Sequence, residues 1–363
     1  MTGAASDYDL AAYDYDLPPD LVAQQPLARR DASRLLVLDR ARGAIVHRPF
    51  SKLPELLRPG DLLLTNRSRV FPARLLGRRQ GGGAAEILLV RRTGPEVWEA
   101  MVRPGRRLRP GAVVDVAPGF RARIEEPLPA GHARERCGAG PQATALRRVR
   151  LLLDILDPAT ALERHGHVPL PPYIRRTDAP SDRERYQTVY ARETGSVAAP
   201  TAGLHFTPAL LARLAERGVE RAEVVLHVGP GTFRPVEVQD VREHRVDPER
   251  FTVPEETAGA VNRALDEGRR VVAVGTTTTR ALESAVDGRG HIRAGESETG
   301  LVIVPGFLFR VTGALVTNFH LPRSSLLLLV SAFAGRERVL AAYAEAVGLR
   351  YRFYSYGDAM LVV

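Results

Sequence analysis

Residues 208–229 read PALLARLAERGVERAEVVLHVG and predict the fold class of the chain. The first half indicates a helix, because Pro208 suits a first helical position, leucines recur at helical spacing and Gly218 ends the pattern. The second half is a short run of apolar residues, typical of a buried strand. A helix followed closely by a buried strand is the unit from which α/β sheets are built.

The same alternation continues along the chain after about residue 158, and one strand-like run precedes it near the N-terminus. The helical patterns lie at 254–268, 281–285, 324–335 and 336–348, and the strand-like runs at 35–39, 269–275 and 301–306. We therefore predict an α/β main domain built from residues 1–60 and 156–363.

Residues 61–155 have a different texture. Gly and Pro turn signals separate short strand-like runs, and short strands at this spacing predict a small antiparallel β-barrel. The runs begin at Leu62, Glu86, Val97, Ala112, Ala122 and Arg147. We expect residues 61–155 to form a barrel domain inserted into the α/β domain, with 127–144 as a loop insertion.

The net charge of +9 is concentrated in the same segment. Between residues 61 and 154 lie 18 of the 51 basic and 9 of the 42 acidic residues, which leaves 33 of each elsewhere. Lys52 is the only lysine, so the segment's basic residues are all arginine. A genome rich in arginine codons explains the choice of arginine but not its confinement. Arginine binds phosphates and stacks on bases, so the segment is predicted to face RNA.

Composition excludes several classes of protein. Cys137 is the single cysteine, which rules out an internal disulfide framework. The acidic N-terminus does not resemble a signal peptide, and the longest apolar run, 326–334, is too short to span a bilayer. His165 and His167 have no third ligand at a suitable spacing, so we predict no metal site. We expect a soluble cytoplasmic protein.

The stretch YQTVYARETGSVAAPTAGLHFT at 186–207 is the strongest candidate for a binding site. Small residues surround Pro200, and His205 follows at the start of the helix that Thr207 is placed to cap. Backbone amides and the helix dipole favour an anion there. A tight crossover with a structural histidine is the alternative.

Further polar residues follow strand-like runs, where α/β sheets bind ligands. These are His227, Thr276 to Arg280 with Glu283, Asn318 with His320, and Asp358. The Gly-x-Ser-x-Gly elbow, the phosphate-binding loop and the dinucleotide fingerprint are all absent from the sequence.

These motifs resemble one known family over nearly the full length of the chain. They are GDLLLTNRSRVFPARL at 60, YQTVYA at 186, GSVAAPTAGLHFT at 195, HVGPGTFRPV at 227, GTTTTRALES at 275, TNFHLP at 317 and YRFYSYGDAMLV at 351. The chain resembles the S-adenosylmethionine:tRNA ribosyltransferase-isomerase family of queuosine biosynthesis. It departs from the family pattern at Pro230, Arg245-Val246 and 297–300.

The resemblance implies a specific reaction. The ribosyl part of S-adenosylmethionine moves onto 7-aminomethyl-7-deazaguanine at the wobble position of tRNA, giving epoxyqueuosine, adenine and methionine. S-adenosylmethionine is thus a consumed substrate, and neither a cofactor nor a metal is expected. The family also implies a monomer, an α/β domain with an inserted β-barrel, and an active site between them.

The chemistry requires a base, a contact for the methionine carboxylate and a pocket for an unstacked tRNA base. The candidates for proton transfer are His205, His227, His320 and Asp358, which the sequence does not rank. The substrate-binding candidates are Tyr186, Thr201, Gly203, Thr276, Thr277, Arg280, Glu283 and Asn318, with Arg280 expected to hold the carboxylate and Glu283 to face the adenosine or the amine. The tRNA-binding candidates are Arg67, Arg69, Arg74, Arg106, Arg107 and Arg109.

Two other functions fit parts of the sequence. A non-catalytic RNA-binding protein would use the arginine-rich barrel but leaves the polar clusters of the α/β part unexplained. An S-adenosylmethionine-dependent RNA methyltransferase would release S-adenosylhomocysteine. The missing Gly-rich methyltransferase loop argues against it.

Overall fold

The computed structural model describes residues 7–127, 136–137, 144–233 and 235–363. The strands are β1 (Arg34–Leu38), β2 (Ile45–Pro49), β3 (Leu62–Asn66), β4 (Ser68–Val70), β5 (Arg74–Arg79), β6 (Ala84–Arg92), β7 (Val97–Arg103), β8 (Val113–Ala117), β9 (Phe120–Pro127), β10 (Arg136–Cys137), β11 (Thr144–Leu153), β12 (Glu193–Ser196), β13 (Glu220–Leu226), β14 (Glu249–Val253), β15 (Val271–Val274), β16 (Gly295–Thr299), β17 (Ala314–Asn318) and β18 (Ala359–Val362). The α-helices are α1 (Leu53–Leu56), α2 (Pro158–His165), α3 (Asp182–Arg185), α4 (Pro208–Glu216), α5 (Glu255–Asp266), α6 (Thr276–Ser284), α7 (Ser325–Ala334) and α8 (Arg336–Gly348).

A nine-stranded mixed sheet forms the centre of the α/β part, in the order β16-β14-β13-β3-β15-β17-β18-β1-β2. The four strands β13, β3, β15 and β17 run parallel to one another. Their carboxyl ends therefore lie at one edge of the sheet, where α/β proteins bind ligands. Apolar clusters cover both faces, so the central strands are buried on each side.

The unit from α4 to β13 folds as its sequence predicts. Thr207 caps α4, with its hydroxyl accepting a hydrogen bond from the backbone N–H of Leu210 at 3.0 Å. Gly218 takes a φ of +77° just after the helix, a conformation that glycine adopts without strain. Leu210 and Leu214 are buried against the sheet. Capping, chain reversal and apolar spacing thus agree, and β13 enters the sheet next to β3.

The arginine-rich segment contains the predicted barrel. Six antiparallel strands lie side by side in the order β11-β7-β6-β5-β8-β9. Strand β9 also pairs with β11, which closes the six strands into a barrel. The barrel has an apolar core of its own. The predicted fold class, an α/β structure with a small antiparallel β-barrel, is confirmed. Most of the predicted 127–144 loop lies outside the described residues.

Two sequence predictions about strands are wrong. Residues 62–66 are not part of the barrel, because β3 pairs with β13 and β15 at the centre of the large sheet. Leu62, Leu63 and Leu64 are apolar in succession, which suits a strand buried on both faces. Residues 301–306 form no strand in the described structure, and Ala314–Asn318 provides the next sheet strand instead.

A third, short sheet consists of the two parallel strands β4 and β12. Strand β4 leaves β3 towards the barrel, and it pairs with β12, which follows the barrel and α3. This arrangement places residues 193–196 beside 68–70. Within the described ranges, we find no helix that is long and apolar enough to cross a membrane.

Candidate active site

A cavity of about 1200 Å³ lies where the carboxyl end of β13 faces the barrel. On the α/β side it is bordered by the segments 227–232, 246–250 and 301–303, and by the first half of α7. On the other side it is bordered by residues of β6, β7 and β11 and by the start of α2. Its size suits a substrate larger than a single nucleoside, since ligand pockets commonly hold about 300–1,000 Å³.

The barrel contributes an apolar wall to the cavity. Met101 on β7 lies opposite Leu146 on β11, and both side chains are half-buried and line the cavity. Phe71 and Trp98 also line it, with ring centroids 5.3 Å apart. Phe71 and Trp98 belong to the buried apolar core of the barrel, so Met101 and Leu146 form the more open part of this wall. The wall therefore offers a surface for a flat, weakly polar group such as a base.

An ion pair borders this apolar wall. Arg91 donates two hydrogen bonds to the carboxylate of Glu99, at 2.9 and 2.7 Å. Both residues line the cavity, and the pair is a forked guanidinium–carboxylate contact of fixed geometry. Polar groups of defined direction thus lie beside the aromatic rings.

His227 follows β13 directly and lines the cavity on the opposite side. Its ring packs against Gly195, where a side-chain Cβ would lie only 2.7 Å from Cε1 and Nδ1 of the imidazole. Glycine at 195 is therefore needed for this close approach. The Nδ1 atom is buried and has no hydrogen-bond partner among the described residues. Burial lowers the pKa of His227, so the neutral imidazole is favoured.

A buried network fixes the loop that follows His227. The carboxylate of Glu249 accepts hydrogen bonds from the backbone N–H of Gly229 at 2.8 Å and from the Thr232 hydroxyl at 3.1 Å. Its other oxygen lies 2.5 Å from Nη1 of Arg280. Arg280 also donates to the carbonyl of Leu301 at 3.0 Å. The network thus ties the 229–232 loop to α6 and to the segment at 301.

Arg280 and Glu283, which were both expected to contact the substrate, form hydrogen bonds with other parts of the protein. The guanidinium of Arg280 does line the cavity, but Glu249 and backbone carbonyls already accept its hydrogen bonds. Glu283 does not border the cavity. Its carboxylate accepts the backbone N–H groups of Arg310, Val311 and Thr312 at 2.9–3.2 Å, so it holds that loop in place. The expectation that Glu283 faces the adenosine or the amine stays a prediction, although these backbone contacts already occupy its carboxylate.

His205 lies away from the cavity, in a buried polar cluster. Its Nδ1 atom is 2.7 Å from the hydroxyl of Ser33, and its Nε2 atom is 3.1 Å from the amide nitrogen of Asn318. The ring packs on Phe50, with centroids 5.0 Å apart. Burial, with help from Arg30 and Arg352, lowers the pKa of His205 to about 3. These contacts are those of a neutral structural histidine, and no residue of 201–205 lines the cavity.

His320 and Asp358, the remaining catalytic candidates, are also bound to the protein. Nε2 of His320 lies 2.8 Å from the Thr317 hydroxyl, and burial lowers the pKa of His320 to about 3. Asp358 accepts hydrogen bonds from the backbone N–H groups of Arg34 and Arg352, at 2.8 and 2.9 Å. Neither lines the cavity, so His227 is the one predicted catalytic residue placed there.

None of the other substrate-binding candidates lines the cavity. Thr276 and Thr277 begin α6 and are buried, and Thr201 begins the turn that ends at His205. Gly203 packs so tightly against Tyr190 and Thr188 that a Cβ would not fit. The fully buried ring of Tyr186 packs edge-on against Tyr356. The sequence thus predicts a real cluster, but the open cavity lies elsewhere.

The predicted tRNA-binding arginines differ in their exposure and in whether they already form an ion pair. Arg69, Arg106, Arg107 and Arg109 are exposed. Arg74 is bound to Glu86 at 2.8 Å. Arg67 is partly buried and forms ion pairs with Glu193 and Glu223. Arg69 lies on β4 and the other three exposed arginines follow β7 of the barrel, and none of the four lines the cavity.

Sequence reasoning missed Glu249, Phe71 and Trp98. Glu249 shares one face of β14 with Phe251 and Val253, which are buried. This spacing of two residues could have indicated from the sequence that Glu249 points inward. The two aromatic residues gave no such signal. Only the tertiary structure shows that they face β13 across the cavity.

The comparisons with known proteins place this chain in a family. The family model described as queuosine biosynthesis protein matches residues 10–362, so the chain belongs to that family. A protein of Geotalea uraniireducens is 49% identical over 96% of this chain and 98% of its own length. One of Heliobacterium modesticaldum is 50% identical over 98% of this chain and 100% of its own length. Both are named S-adenosylmethionine:tRNA ribosyltransferase-isomerase.

A solved structure is also similar. The S-adenosylmethionine tRNA ribosyltransferase of Thermotoga maritima is 37% identical, with a TM-score of 0.53 over 99% of this chain and 100% of that one. The predicted family resemblance is confirmed, and so is the prediction that the chain is an enzyme of the transferase class.

Proposed function

We propose that this enzyme transfers and isomerises the ribosyl moiety of S-adenosylmethionine onto 7-aminomethyl-7-deazaguanine at the wobble position of tRNA. The products are epoxyqueuosine in tRNA, adenine and methionine. S-adenosylmethionine is consumed as a substrate, so the proposal includes no separate cofactor. The family membership and the near-full-length similarity to relatives of this name support it.

The single observation that carries the proposal is the two-sided cavity. One side bears a half-buried imidazole and the other bears aromatic and apolar side chains. The reaction needs both, because a proton is removed from one substrate while a planar base from the other is held out of its stack. A cavity of about 1200 Å³ has room for the two reacting groups together.

We assign proton transfer to His227. The base must take the proton from the carbon beside the sulfonium, and a neutral imidazole has the free electron pair that this step requires. The lowered pKa of His227 favours that form. Adenine then leaves with the electrons of its glycosidic bond and is protonated, and the uncharged aminomethyl nitrogen forms the new bond to the ribosyl carbon and loses a proton. The carbon–sulfur bond breaks with its electrons remaining on the thioether sulfur of methionine as a ribosyl oxygen closes the epoxide.

The barrel side of the cavity is assigned to the tRNA base. Met101 and Leu146 supply half-buried apolar surface next to the rings of Phe71 and Trp98, and the exposed arginines of the barrel are assigned to RNA phosphates. In this proposal the α/β part and the barrel act as two domains, and the enzyme works as a monomer in the cytoplasm.

The test is a product assay with purified enzyme, S-adenosylmethionine and tRNA that carries 7-aminomethyl-7-deazaguanine. Adenine and methionine should appear in equal amounts, together with a mass gain on the modified tRNA. Tritium at the carbon beside the sulfonium should be released as water. Formation of S-adenosylhomocysteine would instead identify a methyltransferase, and tRNA binding without any product would leave an RNA-binding protein.

A further inference from the structure

A cluster of arginines lies at the start of the short sheet of β4 and β12: Arg67 precedes β4, Arg192 precedes β12, and Arg221 lies on β13. Thr194 on β12 pairs with Arg69 on β4, and Thr194 also lines the cavity. Two residues before Thr194, the backbone N–H of Arg192 donates a hydrogen bond to the carbonyl of Arg67 at 2.8 Å. The short sheet thus connects the cavity rim to Arg67 and Arg192.

Three guanidinium groups of this cluster converge on one carboxylate. Glu223 is 9% exposed and forms an ion pair with Arg192. Arg221 lies 3.5 Å and Arg67 lies 3.7 Å from the same carboxylate. Arg67 has a second acid partner, Glu193, at 3.4 Å. Three cations therefore share two carboxylates.

The cluster has unused capacity for an anion. Nε of Arg67 is buried without an acceptor among the described residues. Burial lowers the pKa of Arg221, and the nearby charge of Arg192 lowers it further while Tyr190 opposes the shift. Arg67 and Arg192 lie close to Arg221 at the same carboxylate, so an added negative charge would stabilise all three guanidinium groups. Arg69, exposed beside the cluster, forms no ion pair within the described structure.

The cluster is also accessible. A second cavity, of about 690 Å³, opens beside Glu223 and is bordered by Arg67, Arg192 and Arg221. The side chain of Arg192 is 61% exposed and that of Arg221 is 38% exposed. One guanidinium group is enough to neutralise the carboxylate of Glu223, so a purely structural ion pair does not explain why three guanidinium groups lie there.

We propose that Arg67, Arg192 and Arg221 form a binding subsite for an RNA backbone phosphate next to the nucleotide that reacts. The inference rests on the proposed function for the identity of the RNA, but the site itself is defined by its charges. Guanidinium forks match phosphate oxygens, and Glu223 holds the forks in place before RNA arrives. The subsite extends RNA binding from the barrel onto the α/β part.

The test uses the variants Arg192→Ala and Arg221→Ala, with Arg289→Ala at an exposed turn as the matched control. Binding of an unmodified tRNA transcript is measured by fluorescence anisotropy between 50 and 200 mM salt. Removing one phosphate-binding side chain should weaken binding roughly five- to eightfold at 0.1 M salt and reduce the log–log salt slope by roughly 0.7–0.9. The control should bind like the wild type. The KM for tRNA should rise by the same factor, while the KM for S-adenosylmethionine stays that of the wild type.

A third variant, Arg192→Lys, separates the fork from the charge. It should keep most of the salt slope while losing part of the affinity, because lysine binds phosphate as a point charge. Thermal unfolding of each variant checks the fold. Wild-type affinity and slope in both alanine variants would overturn the subsite, even if turnover is normal. Loss of tRNA affinity in an enzyme that releases no adenine would keep the subsite and overturn the proposed function.

Discussion

Glu249 and Arg280 form a buried ion pair at the base of the cavity, with 2.5 Å between Oε2 and Nη1 and only 7% of each residue exposed. The pair joins the loop after His227 to helix α6, although β14, α5 and β15 lie between these two elements in the sequence. It is therefore a support for the site, and its removal gives the first prediction.

Arg280→Ala should lower the free energy of unfolding by about 3–5 kcal/mol, because it leaves the carboxylate of Glu249 buried without its cation. Chemical denaturation measures this loss. Lys52→Ala removes one partner of an exposed ion pair with Glu55 and should leave the free energy of unfolding almost unchanged. Equal effects of the two substitutions would show that the buried pair has no special importance.

His227→Gln should lower turnover by about 10²–10⁴-fold with the fold intact, since glutamine cannot accept the proton. Single-turnover release of adenine is the measurement, and His291→Gln, at an exposed position, controls for the loss of an imidazole. The same assay on His205→Gln tests the sequence-based prediction for that residue. If His205→Gln loses activity and His227→Gln does not, the assignment of the base to His227 is wrong.

Gly195→Ala should disturb His227 directly. The new Cβ would lie 2.7 Å from two ring atoms, so the imidazole must move, and a displacement approaching 1 Å can lower the rate by about 10²-fold. The control is Gly348→Ala, where no atom lies within 4 Å of the new Cβ. Turnover near that of the wild type in Gly195→Ala would mean that the position of the ring is unimportant.

Stability should fall in mild acid because His205 and His320 are buried as neutral groups. Their pKa is lowered to about 3, against an ordinary value of 6.5. The stabilisation is complete above pH 6.5 and is lost as the pH falls towards 3, by about 2 kcal/mol per histidine at pH 5. Unfolding free energies at pH 7 and 5 measure it. His205→Gln should show a smaller decrease than the wild type, and an identical decrease would contradict the lowered pKa of His205.

Charge reversal at Arg106, Arg107 and Arg109 should weaken tRNA binding and flatten its salt dependence. Each RNA phosphate that is no longer neutralised changes the log–log slope by roughly 0.7–0.9. These side chains are exposed on the barrel, so the fold should survive. Anisotropy measurements across a salt series give the slope, with Arg289→Glu as the control. An unchanged slope would place the RNA on another surface.

The fold class and the family can be recognised from the sequence alone. Helix caps, apolar spacing and turn residues act over a few neighbours, so 208–229 predicts α4 and β13 without any knowledge of the rest. The excess of arginine in residues 61–154 was likewise a local property of the chain. The cluster around His205 was also predictable, because polar residues after parallel strands meet at one edge of the sheet.

Which polar residues border open space depends on the packing of distant segments. His205, His320 and Asp358 look like His227 in sequence, yet three of the four are bound within the protein and one lines the cavity. The difference depends on partners such as Ser33 and Thr317, and on how the barrel wall stands opposite β13. Burial and long-range contacts are set by the packing of distant segments, and local patterns do not encode them.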